Sequence, residues 1–331
     1  MSSSRTLVTG CAGFIGSHLC DALLARVDMV IGLDDQSSGS EESVTALLCS
    51  PRFTYIPQDV REHINLTNIA SIFHLACPAS PLQYQRDPVR TITTNVVGTI
   101  RVLELARRCG SRVLLASTSE VYGDPLQHPQ SEAYCGNVDP LSIRACYDEG
   151  KRCAETVVMD YHRQYGTDIK IARIFNTYGP RMRLDDGRVI SNFIVQALED
   201  RDLTVYGDGQ QTRSFCYIAD LIDALLRFMT TPPSIQGPIN LGTTDEITVV
   251  ALAQMVLAQT QSSNRIVHKA LPQGDPVRRR PDISRAQALL GWSPTTNLAS
   301  GLSRTIPWFA ERVIPAGSSV SCLEDRHAPR H

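Results

Sequence analysis

Leu7-Val-Thr-Gly10-Cys-Ala-Gly13-Phe-Ile-Gly16 decides the fold. A β-rich run, Thr6 to Thr9, passes into three glycines spaced three apart and then into a helical apolar pattern, Phe14 to Arg26. Gly10 permits a tight turn, and Gly13 lets the backbone approach a pyrophosphate. Gly16 lets helix and strand pack closely, while the helix N-terminus favours an anion. With Phe14 and Ile15 the turn reads as a dinucleotide cradle, and the residues downstream support that reading. Asp34 closes the second strand about twenty residues on, where its carboxylate accepts hydrogen bonds from ribose hydroxyls and repels a 2′-phosphate, which favours NAD over NADP. Asp35 reads as a solvated loop residue.

Working outward, β-rich runs at Met29 to Leu33, Phe53 to Ile56, Ile72 to Leu75, Val113 to Ala116 and Ile169 to Ile174 alternate with helical patterns at Pro88 to Cys109 and Ile143 to Tyr165. This alternation predicts an α/β fold, a Rossmann-type doubly wound parallel sheet with a smaller C-terminal substrate-binding lobe. The expected division is 1–174 for the NAD-binding domain, also receiving roughly 215–245. The lobe then takes 175–214 and 246–312, with a disordered tail over 313–331. In the second half, short helices are expected at Val189 to Leu198, Ala219 to Met229, Val249 to Gln259 and Ser284 to Leu290 between Pro- and Gly-rich loops. Asp59 and Val60, after the third strand, are expected at the adenine edge. Leu75 and the small Ala76 are expected under the cofactor, and His74 reads as a satisfied core histidine.

Composition bounds the alternatives. The 331 residues carry a net charge of −2 and 42% hydrophobic content, which fits a globular chain and gives no global basic field for nucleic acid or membrane surfaces. No apolar run is long enough for a membrane span, and the start, Met1-Ser-Ser-Ser-Arg5, has no apolar signal region, so a cytoplasmic location is expected. Ten scattered cysteines without a CxxC pair read as reduced thiols, and no metal site is expected.

Thr118-Ser-Glu120 follows the fifth strand, and Tyr147-Asp-Glu-Gly-Lys151 lies on the next long helix. Tyr147 and Lys151, four apart, share a helical face, so the ammonium is expected to lower the phenol pKa and make it a base near neutrality. Only residues 151, 170 and 269 are lysines among 32 basic residues, so chance rarely supplies such a pair.

Gly10/Gly13/Gly16, Thr118 and Tyr147-x-x-x-Lys151 together resemble the extended short-chain dehydrogenases that act on nucleotide sugars. Longer strings match more narrowly: Ala116-Ser-Thr-Ser-Glu-Val-Tyr-Gly123, Arg144-Ala-Cys-Tyr-Asp-Glu-Gly-Lys-Arg152, Arg173-Ile-Phe-Asn-Thr-Tyr-Gly-Pro-Arg-Met182, Asp186-Gly-Arg-Val-Ile-Ser-Asn-Phe193, Gln211-Thr-Arg-Ser-Phe215 and Arg279-Arg-Pro-Asp282. From about residue 5 to 310 the chain is similar to the UDP-glucuronic acid decarboxylase (UDP-xylose synthase) family.

The resemblance implies NAD as cofactor, UDP-glucuronate as substrate, and a homodimer in which the helices near 88–109 and 143–165 form a four-helix bundle. It implies catalytic roles for Thr118, Glu120, Tyr147, Lys151 and Arg279. It also implies substrate contacts from Asn176, Arg181, Asn192, Tyr206, Gln211, Arg213 and Tyr217, with Arg213 on the pyrophosphate and Arg279 by the glucuronate carboxylate. A 4-keto sugar with a carboxylate at C5 is a β-keto acid, and it loses carbon dioxide without a metal. Release of the 4-keto pentose, 4-epimerisation, 4,6-dehydration and a silent NAD-binding regulator stay open as alternatives. Ser119 stands where dehydratases carry an acid, and Glu120 stands where epimerases lack one. Cys11 and Cys77 replace a usual Gly and Ser, Thr93 a usual Lys, and Cys135 an aromatic residue.

Overall fold

The structure is a computed structural model that describes residues 5–26, 29–270 and 278–313. Its centre is a seven-stranded parallel sheet. Strands β1 (Arg5–Thr9), β2 (Met29–Asp34) and β3 (Phe53–Pro57) run to one side, and β4 (Ile69–His74), β5 (Arg112–Thr118) and β6 (Ile169–Ile174) run to the other. Ile239–Leu241 extends the sheet beyond β6, pairing Leu241 with Ile174. The strand order reverses between β1 and β4, the point at which an open parallel sheet leaves a crevice at its carboxyl ends.

Both faces of the sheet are covered, so its strands are almost continuously apolar. Alternate residues serve different cores. Val113 and Leu115 pack with Val102, Leu103, Ala154 and Val158 of the helices over 88–109 and Ala145–Tyr165. Leu114, between them, points to the other side, where Leu19 and Leu23 of Phe14–Ala25 meet Leu221, Leu225 and Phe228 of Ile218–Thr230. Each fully buried side chain of this kind contributes about 1.5–3 kcal/mol.

The helix expected over 88–109 is interrupted. Pro88–Thr93 and Thr99–Cys109 are joined by a π-helical turn, Thr94–Gly98. The Thr99 hydroxyl donates to the Asn95 carbonyl at 2.5 Å and meets His74 Nε2 at 3.1 Å, so a side chain takes up backbone capacity inside the ladder. The long helix that carries Tyr147 starts at Ala145, leaving Ile143 outside it.

The second half of the chain adds a three-stranded sheet, in which Thr212–Ser214 lies between Glu246–Thr248 and Arg278–Arg279. Its register sets Arg279 beside Arg213. Helices Val189–Leu198, Val249–Thr260 and Leu298–Val313 pack on one another, with Val249–Thr260 against Glu246–Thr248 of this sheet. The sequence reading assigned no helix to Leu298–Val313. Pro307 inside it argues against one, whereas Leu302, Thr305, Ile306 and Phe309, all buried, carry the three- and four-residue spacing that argues for one. Val313 ends that helix, and the remainder of the expected tail, 314–331, lies outside the described residues. Among the described residues no helix is long and apolar enough to cross a membrane.

Candidate active site

A cavity of about 750 Å³ opens at the carboxyl ends of β1, β4 and β5. At one end stand Gly10, Gly13, Phe14, Ile15 and Gly16. Elsewhere on the wall are Leu75, Thr118, Glu120, Tyr147, Lys151 and Arg279, together with Asn176, Asn192, Tyr206, Gln211 and Arg213. Residues separated by up to 269 positions of sequence thus share one wall.

The glycine turn is built for close approach. Gly10 has φ +76°, and a Cβ there would sit 2.9 Å from the backbone of Leu75 and Ala76. At Gly16 a Cβ would fall 2.0 Å from the Gly10 carbonyl oxygen. No side chain caps the helix that begins at Phe14, so its first N–H groups and its positive dipole end face the cavity. This cradle fits the pyrophosphate of a dinucleotide. Asp34 ties it to β2, because its two carboxylate oxygens accept from the Ala12 N–H at 3.0 Å and the Gln36 N–H at 2.7 Å. Burial lifts the Asp34 carboxyl above its ordinary value, and these two bonds hold it back.

Some expected cofactor and substrate residues stand apart from the cavity wall as it is formed here. Asp34 and Ala76 flank the glycine turn from behind. Asp59 is paired with Arg61 at 2.6 Å and Arg90 at 3.2 Å. Asp35 is an exposed loop residue, as read, and forms a surface ion pair with the same Arg90 at 2.5 Å. Val60 is buried in the core, where a Cβ on Gly98 would press on it at 2.7 Å. Arg181 turns away to pair with Asp21 on the first helix at 2.6 Å, and the arginines that line the cavity near it are Arg183 and Arg188. Tyr217 packs edge-on against Tyr178 in the hydrophobic core. His74 is a core histidine, between the hydroxyls of Thr9 at 2.8 Å and Thr99 at 3.1 Å, and burial pushes its pKa down to about 3.

Tyr147 is buried, and its ring stacks on that of Tyr84 with centroids 5.0 Å apart and planes 6° apart. Burial pushes the phenol well above its ordinary pKa, Cys77 adds to the push, and the hydrogen bond with Thr118 opposes it. The Lys151 ammonium lies 6.0 Å from the ring centroid and donates to the Ala116 carbonyl at 2.8 Å. Burial pushes Lys151 below its own ordinary value. The expectation that Lys151 lowers the Tyr147 pKa is therefore corrected for the protein without bound ligands: desolvation of both groups dominates.

Glu120 is the junction of the site. One carboxylate oxygen accepts from Arg144 at 2.5 Å, and the other pairs with Arg279. Burial would raise the Glu120 carboxyl, but Arg279 and Arg144 outweigh it and hold the pKa below the ordinary value. Arg279 is 3% exposed and also donates to the Gly123 carbonyl at 2.8 Å.

A buried tie fixes the segment that follows Arg279. The Gln130 side chain accepts from the Arg280 N–H at 2.9 Å, and its main chain bonds Arg280 and Asp282. Asn240, in the last strand of the sheet, donates to the carbonyls of Gln130 at 3.0 Å and Asp282 at 3.1 Å, and accepts from the Tyr122 hydroxyl at 2.7 Å.

Sequence reasoning missed Arg144, Tyr84, Arg188 and Asp148. Arg144 stood in a quoted string, one turn before Tyr147, and a cation at that spacing was the signal. Tyr84 sits on the short helix Pro81–Arg86, and no local pattern joins it to Tyr147.

Comparison with known proteins agrees with this geometry. The model of the NAD dependent epimerase/dehydratase family matches residues 6–242. UDP-glucuronic acid decarboxylase 2 of Arabidopsis thaliana is 53% identical over 309 residues, which cover 93% of this chain and 69% of that protein. Among solved structures, UDP-glucose 4-epimerase of Thermotoga maritima, crystallised with UDP-glucose, superposes with a TM-score of 0.86 at 28% identity, covering 93% of this chain and 99% of that one. UDP-glucuronic acid 4-epimerase of Bacillus cereus, in complex with UDP-glucuronic acid and NAD, gives 0.83 at 32% identity, covering 92% and 98%. With the glycine cradle at one end of the cavity and Tyr147, Lys151 and Glu120 on its wall, the chain belongs to the NAD-dependent epimerase/dehydratase family, among the UDP-glucuronic acid decarboxylases.

Proposed function

We propose that this protein decarboxylates UDP-glucuronate to UDP-xylose through a 4-keto intermediate, with NAD restored in each cycle. The observation that carries the reading is the Glu120 carboxylate held between Arg144 and Arg279 in the same cavity as Tyr147. A dehydrogenase of neutral sugars needs the Tyr147 proton transfer alone. Two arginines around a carboxylate suit a substrate that carries a carboxylate of its own.

Gly10, Gly13, Phe14, Ile15 and Gly16 would hold the cofactor pyrophosphate, Asp34 the adenosine ribose, and Lys151 the nicotinamide ribose. Asp59, Val60, Leu75 and Ala76 complete the assignment along the strand tips. When bound, NAD supplies the acceptor, and later the donor, for the hydrogen on sugar C4. Tyr147, aided by Thr118, takes the proton of the C4 hydroxyl and later returns it. Arg279 holds the C5 carboxylate until its electrons pass into the C4 ketone. Glu120 orients the sugar at C5, which takes a proton from solvent as carbon dioxide leaves. Ser119 brings no acid to expel a hydroxyl from C6, which disfavours dehydration. Asn176, Asn192, Tyr206 and Gln211 are assigned to the sugar and uridine, and Arg213 to the pyrophosphate.

The two-lobe division, with 215–245 joining the NAD-binding part, draws support from the pairing of Ile239–Leu241 with β6. A homodimer through the helices near 88–109 and 145–165 draws support from exposed apolar Val89, Ile92 and Ile143 on or beside them. A cytoplasmic setting suits the free thiols of the described cysteines.

The test is product analysis. NAD-loaded protein given UDP-glucuronate is expected to release carbon dioxide and yield UDP-xylose by NMR, while UDP-glucose and UDP-galactose stay unconverted. Folded, loaded protein that gives neither gas nor pentose overturns the reading.

A further inference from the structure

Asp148 follows the proton-transfer tyrosine directly, and the chemistry above leaves it idle. It is 5% exposed, and its Oδ1 has no hydrogen-bond partner among the described residues. A buried carboxylate without partners costs stability unless it stays protonated or its charge is used. The Asp148 N–H donates to the Arg144 carbonyl at 3.1 Å, which sets the two residues one helical turn apart on one face. The charged and titratable groups around Asp148 come from four elements. Arg144, Cys146, Tyr147 and Glu149 belong to its own helix and the residue that precedes it. Glu120 comes from the turn Ser119–Tyr122, Arg279 from Arg278–Arg279, and Tyr84 from Pro81–Arg86.

The charges of this cluster count simply. Arg144 and Arg279 bring two positive charges and Glu120 one negative charge, while the Glu149 carboxylate is balanced by Arg152 at 3.5 Å. With Asp148 protonated, the cluster carries one surplus positive charge, the complement of one substrate carboxylate. With Asp148 ionised, the cluster is already neutral, and a second anion arrives against it.

We propose that Asp148 is the charge-balancing residue of the site: it is protonated while the substrate carboxylate is bound, so that binding takes a proton from solution and loss of carbon dioxide gives it back. This rests on the decarboxylase reading, since it needs a sugar that carries a carboxylate. Burial first, and the Glu120 charge second, push the Asp148 carboxyl up to about 7. A bound carboxylate adds another negative neighbour and raises it further. Between the free and bound values, binding of UDP-glucuronate is linked to one proton and weakens about tenfold per pH unit.

Calorimetric titration tests this on the NAD-loaded Tyr147→Phe protein, which binds without turnover, at pH 8 in two buffers of different ionisation enthalpy. UDP-glucuronate is expected to draw in close to one proton, and UDP-xylose, which lacks the carboxylate, none. Adding Asp148→Asn is expected to abolish the uptake, make affinity independent of pH, and tighten UDP-glucuronate binding at pH 8 by up to about tenfold. A residue that only shaped the helix would lower affinity for both ligands and leave the proton count unchanged.

Equal uptake with both ligands, or unchanged uptake in Asp148→Asn, overturns the proposal. Should Asp148→Asn not fold, the contrast between the two ligands in the parent protein decides. Carbon dioxide release by the unsubstituted protein without linked uptake defeats the proposal alone. Absence of UDP-glucuronate turnover defeats the decarboxylase reading and this proposal with it.

Discussion

Arg279 meets Glu120 across 159 positions of sequence, a cation from the final small strand closing on a carboxylate from the turn after β5. The contact ties the last described strand to the carboxyl end of the parallel sheet, beside Tyr147.

Removing either side of that pair should separate oxidation from decarboxylation. Glu120→Ala leaves two buried arginines without their shared carboxylate. We expect kcat to fall by roughly 10²–10⁴-fold and stability to drop by about 3–5 kcal/mol. Arg279→Lys keeps one charge but loses the fork that reaches Glu120 and the Gly123 carbonyl together. It should fold and bind NAD while losing most pentose formation. Product NMR and urea unfolding check both variants, and near-normal kcat in either one removes the pair from the mechanism.

The pH profile should rise on its acid side. The ionised phenol of Tyr147 is the competent base, and burial holds its pKa well above the ordinary value, so the active form is the minor one near neutrality and grows with pH. Activity should climb with pH, and Thr118→Ala, which removes the one hydrogen bond that favours the ionised form, should move the limb to higher pH. Initial rates from pH 6 to 10 for both proteins decide, and a limb that does not move places the titrating group elsewhere.

The three glycines of the cradle should fail differently. Gly10→Ala and Gly16→Ala set a methyl group against backbone, at 2.9 Å and 2.0 Å, and should prevent folding or abolish NAD binding. Gly13→Ala meets only the Gly10 oxygen at 3.3 Å, so it should fold and lose NAD affinity. Thermal melts with and without NAD resolve the three, since a ligand raises Tm only by binding the native state.

His74 makes stability depend on acidity. Its folded pKa, about 3, lies below the ordinary histidine value near 6.5, so the unfolded chain binds a proton that the native protein refuses. The stabilisation is complete above about 6.5 and is lost as pH falls toward 3. His74→Gln, which keeps polar atoms near Thr9 and Thr99, should unfold in urea with a flatter dependence between pH 6 and pH 4 than the parent protein. Equal slopes would assign the acid sensitivity to other groups.

The sheet was legible because its signals are local: β-rich runs, glycines at a tight turn, and apolar steps of three and four. Tyr147 and Lys151 were legible for the same reason, being four apart on one helix. The Lys151 effect on the phenol was misjudged because spacing carries no desolvation, and both groups are buried. Arg181 was expected in the cavity on motif position alone. Its backbone adopts φ +67°, and the side chain leaves toward Asp21. Tyr84 and Asp148 owe their places to packing between elements distant in sequence, which no periodicity reports.

The tie through Gln130 and Asn240 gives the enzyme an unusual kind of modularity. A fragment that ended at Leu241 would possess the whole cradle, the tyrosine, the lysine and Glu120, yet Asn240 and Gln130 would have no Arg280 or Asp282 to grip. Such a fragment would hold every part needed to begin a reaction and only one half of the Glu120–Arg279 pair that decides how it ends. Choice of product is thus shared between the turn after β5 and the last stretch of chain, which the edge of the sheet holds in place.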